Sequence, residues 1–322
     1  MPAVAPILDQ LRPIDHLTLV ESAPLSEYTR FGIGGPASLL VDTEDCDAFV
    51  KALQVVQASG EPFVVIGGGT NLIVADEGYR GIVLRYLGER IERQCDRVHA
   101  EAGAVLQDLV DFCNAQGLQG VETMTGIPGS VGAAVYGNAG AYGHSISERV
   151  LEVKFYDGDT VRSLDREGCA FHYRQSVFKQ RKEWIIFSTT LSMQEAEPAE
   201  LQKISDSILQ TRNKKYPPAM KCAGSIFKNF LWAELPEAVQ QEVPQKVIIE
   251  GKVPAAYFLE AVGAKGMRNG DIHVADYHAN LIYNAGEGTA RQLREVIAEL
   301  KTRVTQRFGI DIEEEVQYVG FS

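Results

Sequence analysis

Clusters of glycine constrain this chain more than any other feature of its sequence. Three consecutive glycines, Gly67–Gly69, stand between apolar runs in FVVIGGGTNLIVAD (63–76). A longer stretch, GVETMTGIPGSVGAAVYGNAGAYG (120–143), holds seven glycines. Glycine reaches backbone conformations that other residues avoid, but it costs backbone entropy and adds little to a core. Glycine at this density is expected where the backbone passes close to a large or highly charged ligand.

The loop at Gly67–Gly69 does not match the two common nucleotide-binding loops. A dinucleotide-binding loop has the spacing G-x-G-x-x-G before a helix, and Leu72 stands where the third glycine would be. A Walker A loop requires Gly-Lys-Ser/Thr, which does not follow here. Two interpretations remain: backbone N–H groups that converge on an anion, or a tight turn without a ligand. A third cluster, FGIGGPA (31–37), favours the ligand, although a set of surface turns would give the same pattern.

Composition and charge exclude several classes of protein. The 322 residues are 45% hydrophobic and 23% charged, as in a globular protein of two or three domains. No apolar run reaches about 18 residues, so we predict no membrane insertion. The N-terminus lacks a basic leader, which predicts a cytoplasmic location. A net charge of −12 argues against a nucleic-acid partner, so local basic residues would have to hold any anionic ligand.

Cysteine and histidine usage argues against disulfides and metal sites. The five cysteines form no CxxC pair, and the six histidines show no HExxH spacing. This pattern predicts free thiols in a reducing compartment and no bound metal.

The order of predicted elements indicates an α+β fold. Apolar residues at helical spacing predict helices over 45–60, 104–117, 200–212 and a C-terminal stretch that ends at Gly309. Strand-like runs occupy 37–41, 62–66, 81–85, 150–156 and 183–188. Helices and strands mix without regular βα alternation, which is typical of α+β proteins. Two prolines and a basic cluster predict a domain boundary near 212–224.

Six ordered segments carry a resemblance to a known family. They are FGIGGPA (31–37), VIGGGTNLIVADEGYRGIVL (65–84), GIPGSVGAAVYGNAGAYG (126–143), FHYRQSVFK (171–179), AGSIFKN (223–229) and HANLIYNAGEGTA (278–290). In this order the chain resembles the UDP-N-acetylenolpyruvoylglucosamine reductases, flavoenzymes of bacterial peptidoglycan precursor synthesis. The resemblance implies an FAD-binding fold of the vanillyl-alcohol-oxidase type and a C-terminal α+β domain. The implied domains are FAD-binding subdomains 1–88 and 89–212 and a substrate-binding domain 213–322.

The resemblance also implies the cofactors and the substrate. FAD would be bound noncovalently, NADPH would supply hydride, and UDP-N-acetylglucosamine enolpyruvate would be reduced to UDP-N-acetylmuramate. The loop 67–71 would hold the FAD diphosphate, and the stretch 120–143 would line the flavin. The implied FAD-binding residues are Gly67, Gly68, Gly69, Thr70, Asn71, Gly126, Ile127, Pro128, Gly129, Ser130, Gly132, Asn138, Gly140 and Tyr142.

Three residues match catalytic positions of that family. Arg174 would clamp the substrate carboxylate through its planar guanidinium. Ser225 would donate the proton, and Glu315 would assist the enolate as a protonated acid with a raised pKa. The residue types alone leave other interpretations open: a surface salt bridge for Arg174 and a helix N-cap for Ser225. For Glu315 the alternative is an acidic strand edge exposed to solvent. We predict that role for Glu313 and Glu314.

Basic residues around 212–228 are the expected site for the UDP diphosphate. They are Arg212, Lys214, Lys215, Lys221 and Lys228. We predict substrate contacts from Lys215, Lys228 and Asn229, with His278 as a further polar contact on the substrate side. A solvated charge run remains open for Arg212 and Lys214, and a structural role remains open for His278.

Two segments depart from the family pattern. The stretch 230–258 after Asn229 replaces a short Pro/Gly passage, and RNGDIHV (268–274) stands where a glycine pair is common. These departures leave the outer wall of the substrate pocket undefined. The spacing of 51 residues between Arg174 and Ser225 (225 − 174) resembles the shorter branch of the family.

Two other functions compete with the reductase. An FAD-dependent sugar or alcohol oxidase of the same fold often tethers its flavin through His or Cys near the first glycine loop. No histidine lies between Tyr28 and Arg80, and Cys46 falls in a predicted helix, so a tether is not supported. A binding module without catalysis is the third possibility, and the intact family positions argue against it.

Overall fold

The computed structural model describes residues 4–321, and it describes side chains from Pro6 onwards. The chain divides into two compact units, each built from separate segments. The first unit contains 4–23, Ala37–Gly69 and Arg80–Lys214. The second unit contains Pro24–Pro36, Thr70–Tyr79 and 215–321. The three-part division at residues 88 and 212 stays a prediction.

Helices occur in both units. They are α1 (Val4–Leu11), α2 (Cys46–Ser59), α3 (Leu106–Ala115), α4 (Val131–Tyr136), α5 (Val177–Gln180), α6 (Pro198–Lys215), α7 (Glu237–Glu242), α8 (Ala255–Ala261) and α9 (Ala290–Phe308). Among residues 4–321, no helix combines the length and hydrophobicity that a membrane span requires.

The strands are short, and most lie in small sheets. The N-terminal strands are β1 (Thr18–Glu21), β2 (Ala37–Thr43), β3 (Phe63–Val65), β4 (Leu72–Val74), β5 (Tyr79–Tyr86), β6 (Ile91–Gln94), β7 (Arg97–Glu101), β8 (Leu118–Gln119), β9 (Gly140–Ala141) and β10 (His144–Ser145). The later strands are β11 (Val150–Tyr156), β12 (Val161–Asp165), β13 (Ile185–Ser192), β14 (Gln194–Glu195), β15 (Phe230–Leu231), β16 (Lys252–Val253), β17 (Arg268–Asn269), β18 (Ile272–Ala275), β19 (His278–Asn284) and β20 (Gln317–Val319).

The first unit contains two larger sheets, the two-stranded sheets β10-β9 and β14-β8, and two hydrophobic clusters. A mixed four-stranded sheet has the order β1-β2-β5-β3, and an antiparallel five-stranded sheet has the order β12-β11-β13-β7-β6. Helix α2 packs Phe49 against Tyr86 and Phe187, with ring centroids 5.0–6.1 Å apart. The second cluster surrounds α3 and α4 and includes Leu109 and Val135.

The second unit is built around an antiparallel sheet of the order β17-β18-β19. Helix α9 buries the apolar face that its helical spacing predicts, from Leu293 to Val304. Strand β20 pairs in parallel with β4, so the end of the chain joins a segment from its first quarter. Asp76 accepts hydrogen bonds from the first N–H groups of α9, those of Ala290 (2.7 Å) and Arg291 (3.0 Å).

The predicted elements are present with shifted ends. Helices α2, α3, α6 and α9 and strands β2, β3, β5, β11 and β13 confirm the sequence predictions. Gly60 and Gly309 end α2 and α9 at φ 72° and 66°, the left-handed conformation that glycine allows. Helix α4 was not predicted, because its sequence VGAAVY lies inside the glycine-rich stretch and resembles a loop.

Candidate active site

The loop after β3 presents unpaired backbone N–H groups to solvent. Gly67 and Gly68 are exposed, and within residues 4–321 no protein atom accepts a hydrogen bond from their N–H groups. Gly69 has φ 64°, which only glycine adopts readily. Adjacent unpaired N–H groups in such a turn are the arrangement that binds anions. The chain passes from the first unit to the second directly after Gly69.

The second glycine segment lies close to this loop in the first unit. A Cβ atom at Gly67 would lie 3.1 Å from Ser130 Oγ, and one at Gly68 would lie 3.9 Å from the Cα of Gly129. The two segments therefore lie against each other, and a Cβ at Gly67 would crowd the Ser130 hydroxyl. The predicted close approach of these glycines to a ligand stays a prediction.

Helix α4 fixes the position of Ser130. Ser130 is its N-cap, and Oγ accepts a hydrogen bond from the N–H of Ala133 at 3.3 Å. Gly132 packs against Ala102: its N–H donates to the Ala102 carbonyl at 2.9 Å, and a Cβ at Gly132 would lie 2.7 Å from that of Ala102. Glycine at position 132 thus allows the helix to sit against β7 and its following turn.

The residues between the two glycine segments are held by local hydrogen bonds. The N–H of Gly126 donates to the side chain of Gln107 at 2.7 Å, and Gly126 has φ 75°. Ile127 packs against the cluster around α3, and Pro128 is half-buried. These contacts shape the wall of the loop region but leave Ile127 and Pro128 partly accessible.

Asn138, Gly140 and Tyr142 lie at the end of the glycine-rich stretch. Asn138 is buried with φ 44°, and its side-chain amide donates to the His172 carbonyl at 2.8 Å. Tyr142 also has a positive φ, 52°, and half of its surface is exposed. Positive φ at residues other than glycine is uncommon and is found at binding sites more often than elsewhere.

Arg174 lies in a tight turn within the first unit. His172 and Gln175 exchange backbone hydrogen bonds of 3.1 Å, and Arg174 between them has φ 54°. Its guanidinium donates to the carbonyl oxygens of Asn138 (3.3 Å) and Gly140 (2.9 Å) and lies 5.3 Å from the Tyr173 ring centroid. These contacts are with two backbone carbonyl oxygens and one aromatic ring. They tie the predicted carboxylate clamp to the segment that is predicted to line the flavin.

Ser225 and Glu315 lie on neighbouring segments of the second unit. Ser225 forms a bridge with Leu281 of β19, and it does not cap a helix. The N–H of Glu315 donates to the Ile226 carbonyl at 2.8 Å, and the Glu315 carbonyl accepts from the Asn71 side chain at 2.8 Å. The structure thus brings together the predicted proton donor, the predicted acid and a residue of the predicted diphosphate loop.

Lys228 and Glu313 form an ion pair next to the segments that carry Ser225 and Glu315. The Lys228 side chain is 8% exposed, and its ammonium donates to the carboxylate of Glu313. Glu314 accepts from Lys301 at 2.7 Å and from the Tyr318 hydroxyl, and its side chain is mostly buried. The prediction of a solvated acidic edge is therefore wrong for Glu314. Buried carboxylates that carry an ion pair are held in place by that partner.

The other predicted substrate residues occupy different settings. The side-chain oxygen of Asn229 accepts from the N–H of Ala255 at 3.1 Å, at the start of α8. Lys215 is exposed, and its ammonium lies 5.1 Å from the ring centroid of Tyr216. The stretch after Asn229 forms β15, α7 and β16, so it is an ordered part of the second unit.

His278 is partly buried at the first position of β19. Its Nε2 atom has no hydrogen-bond partner among residues 4–321, and its ring packs edge-on against Tyr216 at 6.2 Å. The pKa of His278 is lowered to about 4, mainly by burial and to a lesser extent by the positive charges of Lys215 and Lys265. His278 is therefore a neutral imidazole near neutral pH.

Two residues that the sequence did not indicate support Ser225. Tyr216 Oη lies 3.1 Å from Ser225 Oγ, within hydrogen-bond distance. Asn280 is 2% exposed; its side chain accepts from the N–H of Phe227 (2.9 Å) and donates to the Phe227 carbonyl (2.8 Å). A single Tyr and a single Asn form no sequence motif, so the sequence could not indicate them. Their contacts become visible only once the fold brings 225–227 next to β19.

Within the described residues, no group of three or more His, Cys, Asp or Glu side chains has the arrangement of a metal site.

The cysteine closest to the first glycine clusters along the chain is Cys46, at the start of α2. Burial raises the pKa of its thiol to about 11. A protonated thiol is a poor nucleophile. A covalent tether through Cys46 is therefore disfavoured.

Comparisons with known proteins agree with this geometry. A family profile for an FAD-binding domain matches residues 37–162, and one for the UDP-N-acetylenolpyruvoylglucosamine reductase C-terminal domain matches 216–319. The UDP-N-acetylenolpyruvoylglucosamine reductase of Solibacter usitatus is 62% identical over 311 residues, covering 97% of this chain and 100% of that protein. The protein of the same name from Bacillus licheniformis is 34% identical and covers 98% of each chain.

A solved structure is also similar. The crystal structure of UDP-N-acetylenolpyruvylglucosamine reductase from Thermus caldophilus matches with a TM-score of 0.72 at 27% identity, over 94% of this chain and 98% of that one. The fold and the glycine site define an α+β FAD-binding protein, and the predicted fold class is confirmed. Within that class, the chain belongs to the UDP-N-acetylenolpyruvoylglucosamine reductase family.

The residues present fit FAD. Gly67 and Gly68 are exposed, and their N–H groups supply donors for a diphosphate next to Gly129 and Ser130. Which of the predicted residues touch the cofactor stays a prediction.

Proposed function

We propose that this protein reduces UDP-N-acetylglucosamine enolpyruvate to UDP-N-acetylmuramate, a step of peptidoglycan precursor synthesis, with FAD as cofactor and NADPH as reductant. The observation that carries this proposal is the 62% identity, over nearly the whole chain, to a reductase named for this substrate. The bond between Glu315 and Ile226, the residue after Ser225, supports it, because Ser225 and Glu315 match catalytic positions of the family.

Bound FAD would supply the hydride-transfer chemistry between NADPH and the enolpyruvyl double bond. The loop Gly67–Gly69, with Thr70 and Asn71, would hold the FAD diphosphate through backbone and side-chain donors. Gly129, Ser130 and the rest of the glycine-rich stretch would line the flavin.

The remaining chemistry belongs to side chains of this chain. Arg174 would bind the substrate carboxylate with two parallel N–H donors and stabilise negative charge that grows on it. Ser225 would give its hydroxyl proton to the carbon that does not receive hydride. Glu315, held by Ile226 and Asn71, would donate a hydrogen bond toward the enolate.

The substrate-side polar residues would bind the nucleotide sugar. Exposed Lys215 offers a cation for the UDP diphosphate. The charge of Lys228 is shared with Glu313, so Lys228 would act through a fixed hydrogen-bond direction more than through net charge. Neutral His278 and Asn229 would supply uncharged contacts.

An anaerobic titration of the purified flavoprotein tests the proposal. NADPH should bleach the visible flavin absorbance, and the enolpyruvyl sugar should restore it. Ser225→Ala should still be bleached by NADPH, but its reoxidation by the sugar should slow by about 10²–10⁴-fold. Ser207→Ala, at an exposed position of α6, is the matched control and should behave like the wild type.

Two results would contradict the proposal. Reoxidation only after air is admitted would indicate an oxidase of the same fold. A protein without flavin would indicate a binding module. Yellow colour released on denaturation would show that the flavin is noncovalent.

A further inference from the structure

Tyr216 is the polar group placed to control the hydroxyl of Ser225. It follows α6 directly, and the 3.1 Å contact between Tyr216 Oη and Ser225 Oγ lies inside the second unit. Either hydroxyl can donate in this pair. A serine hydroxyl has one proton and two lone pairs, so it can accept from one neighbour while it donates to another.

The backbone of Ser225 is already fixed on both sides of this contact. Ser225 bridges to Leu281, and the next residue, Ile226, donates from its N–H to the Asn280 carbonyl at 3.1 Å. With the backbone fixed, the remaining freedom of Ser225 is rotation of its side chain about Cα–Cβ and of its O–H bond, and the contact with Tyr216 restricts both. Tyr216 is therefore able to select the direction in which the Ser225 proton points.

Tyr216 is itself held by its surroundings. Its ring packs edge-on against the partly buried His278, and Lys215 lies 5.1 Å from the ring centroid. A ring that is packed in this way presents its hydroxyl in a defined direction, as a supporting residue must.

We propose that Tyr216 is a positioning residue for the proton-transfer step: its hydroxyl donates to Ser225 Oγ, which aims the Ser225 proton at the substrate carbon. This inference rests on the proposed function. In the step, the O–H bond of Ser225 breaks as a C–H bond forms on the substrate, and the electron pair of the O–H bond stays on Oγ. The Tyr216 O–H then stabilises the developing alkoxide.

The test is the pair of half-reactions in the flavoprotein carrying Tyr216→Phe. Bleaching by NADPH should keep its wild-type rate, because no proton leaves Ser225 in that half-reaction. Reoxidation by the enolpyruvyl sugar should slow about 10–100-fold, the effect of losing a hydrogen bond to a charged group. Binding of the product UDP-N-acetylmuramate, measured by calorimetry, should be unchanged.

Two comparisons separate positioning from general damage. The double variant Tyr216→Phe with Ser225→Ala should reoxidise no more slowly than Ser225→Ala alone, because both changes act on the same proton. Tyr257→Phe removes a hydrogen bond from Tyr257 to the Glu242 carbonyl in the same unit and should leave both half-reactions unchanged.

Each outcome decides the question. Wild-type flavin that the sugar never reoxidises refutes the proposed function and this inference with it. Wild-type reoxidation with an equal rate in Tyr216→Phe overturns the inference alone. If the double variant reoxidises more slowly than Ser225→Ala alone, the inference is also overturned, since Tyr216 would then act independently of Ser225.

Discussion

The substitution Asn280→Ala tests how the segment that carries Ser225 is held in place. The Asn280 side chain makes two hydrogen bonds to the backbone of Phe227, and both residues are buried. Alanine removes both and leaves the N–H and the carbonyl of Phe227 without partners. A buried backbone group without a partner costs about 1–3 kcal/mol. The variant no longer buries the amide of Asn280, which offsets part of this cost.

We therefore expect a loss of about 2–4 kcal/mol in the free energy of unfolding. Urea unfolding of the FAD-loaded protein, followed by circular dichroism, measures the total. Hydrogen exchange at the Phe227 amide measures the local effect, which should be at least about tenfold faster exchange.

Asn269→Ala is the matched control. Asn269 also uses its side chain as a donor, to Glu295 at 2.7 Å, but that contact is exposed and water can replace it. Its loss should cost less than about 0.5 kcal/mol. Equal losses in the two variants, or unchanged exchange at Phe227, would refute the idea that the Asn280 side chain holds the segment that carries Ser225.

Three further substitutions test other features. Gly132→Ala should cost about 1–3 kcal/mol and lower the FAD content of the purified protein, because the new Cβ meets backbone-anchored atoms, whereas Gly137→Ala has room and should change neither. The pKa of His278 is lowered to about 4, so the unfolded chain binds more protons than the folded one between pH 4 and 6.5; wild-type stability should fall as pH falls through this window, and His278→Gln should flatten that slope in urea unfolding. Asp76→Ala removes two N–H acceptors at the start of α9 and should cost about 1–2 kcal/mol, against a negligible effect of Glu77→Ala.

Local structure could be predicted where the sequence has a regular spacing of apolar residues or a cluster of glycines. The apolar spacing of α9 and its closing Gly309 define that helix from the letters alone, and glycine density pointed to the loop at 67–69. Helix α4 was missed for the same reason: the small residues that let it approach Ala102 are also typical of turns.

The support around Ser225 was not predictable, because it depends on contacts between distant segments. Phe227 and Asn280 are separated by 53 positions, and Asn71 and Glu315 by 244. No local pattern records such pairs. The positive φ of Arg174 could not be predicted from the sequence either, since arginine has no preference for that conformation.

The segments that complete the second unit have a consequence for synthesis on the ribosome. Strand β4 and Asp76 emerge early, but their partners β20 and α9 are among the last residues made. Strand β4 and Asp76 must therefore wait for these partners while more than 200 further residues are added. Contacts of such long range slow folding. A fragment that starts at Lys215 would lack β4 and Asp76. We therefore expect the C-terminal region not to fold stably without residues 24–36 and 70–79.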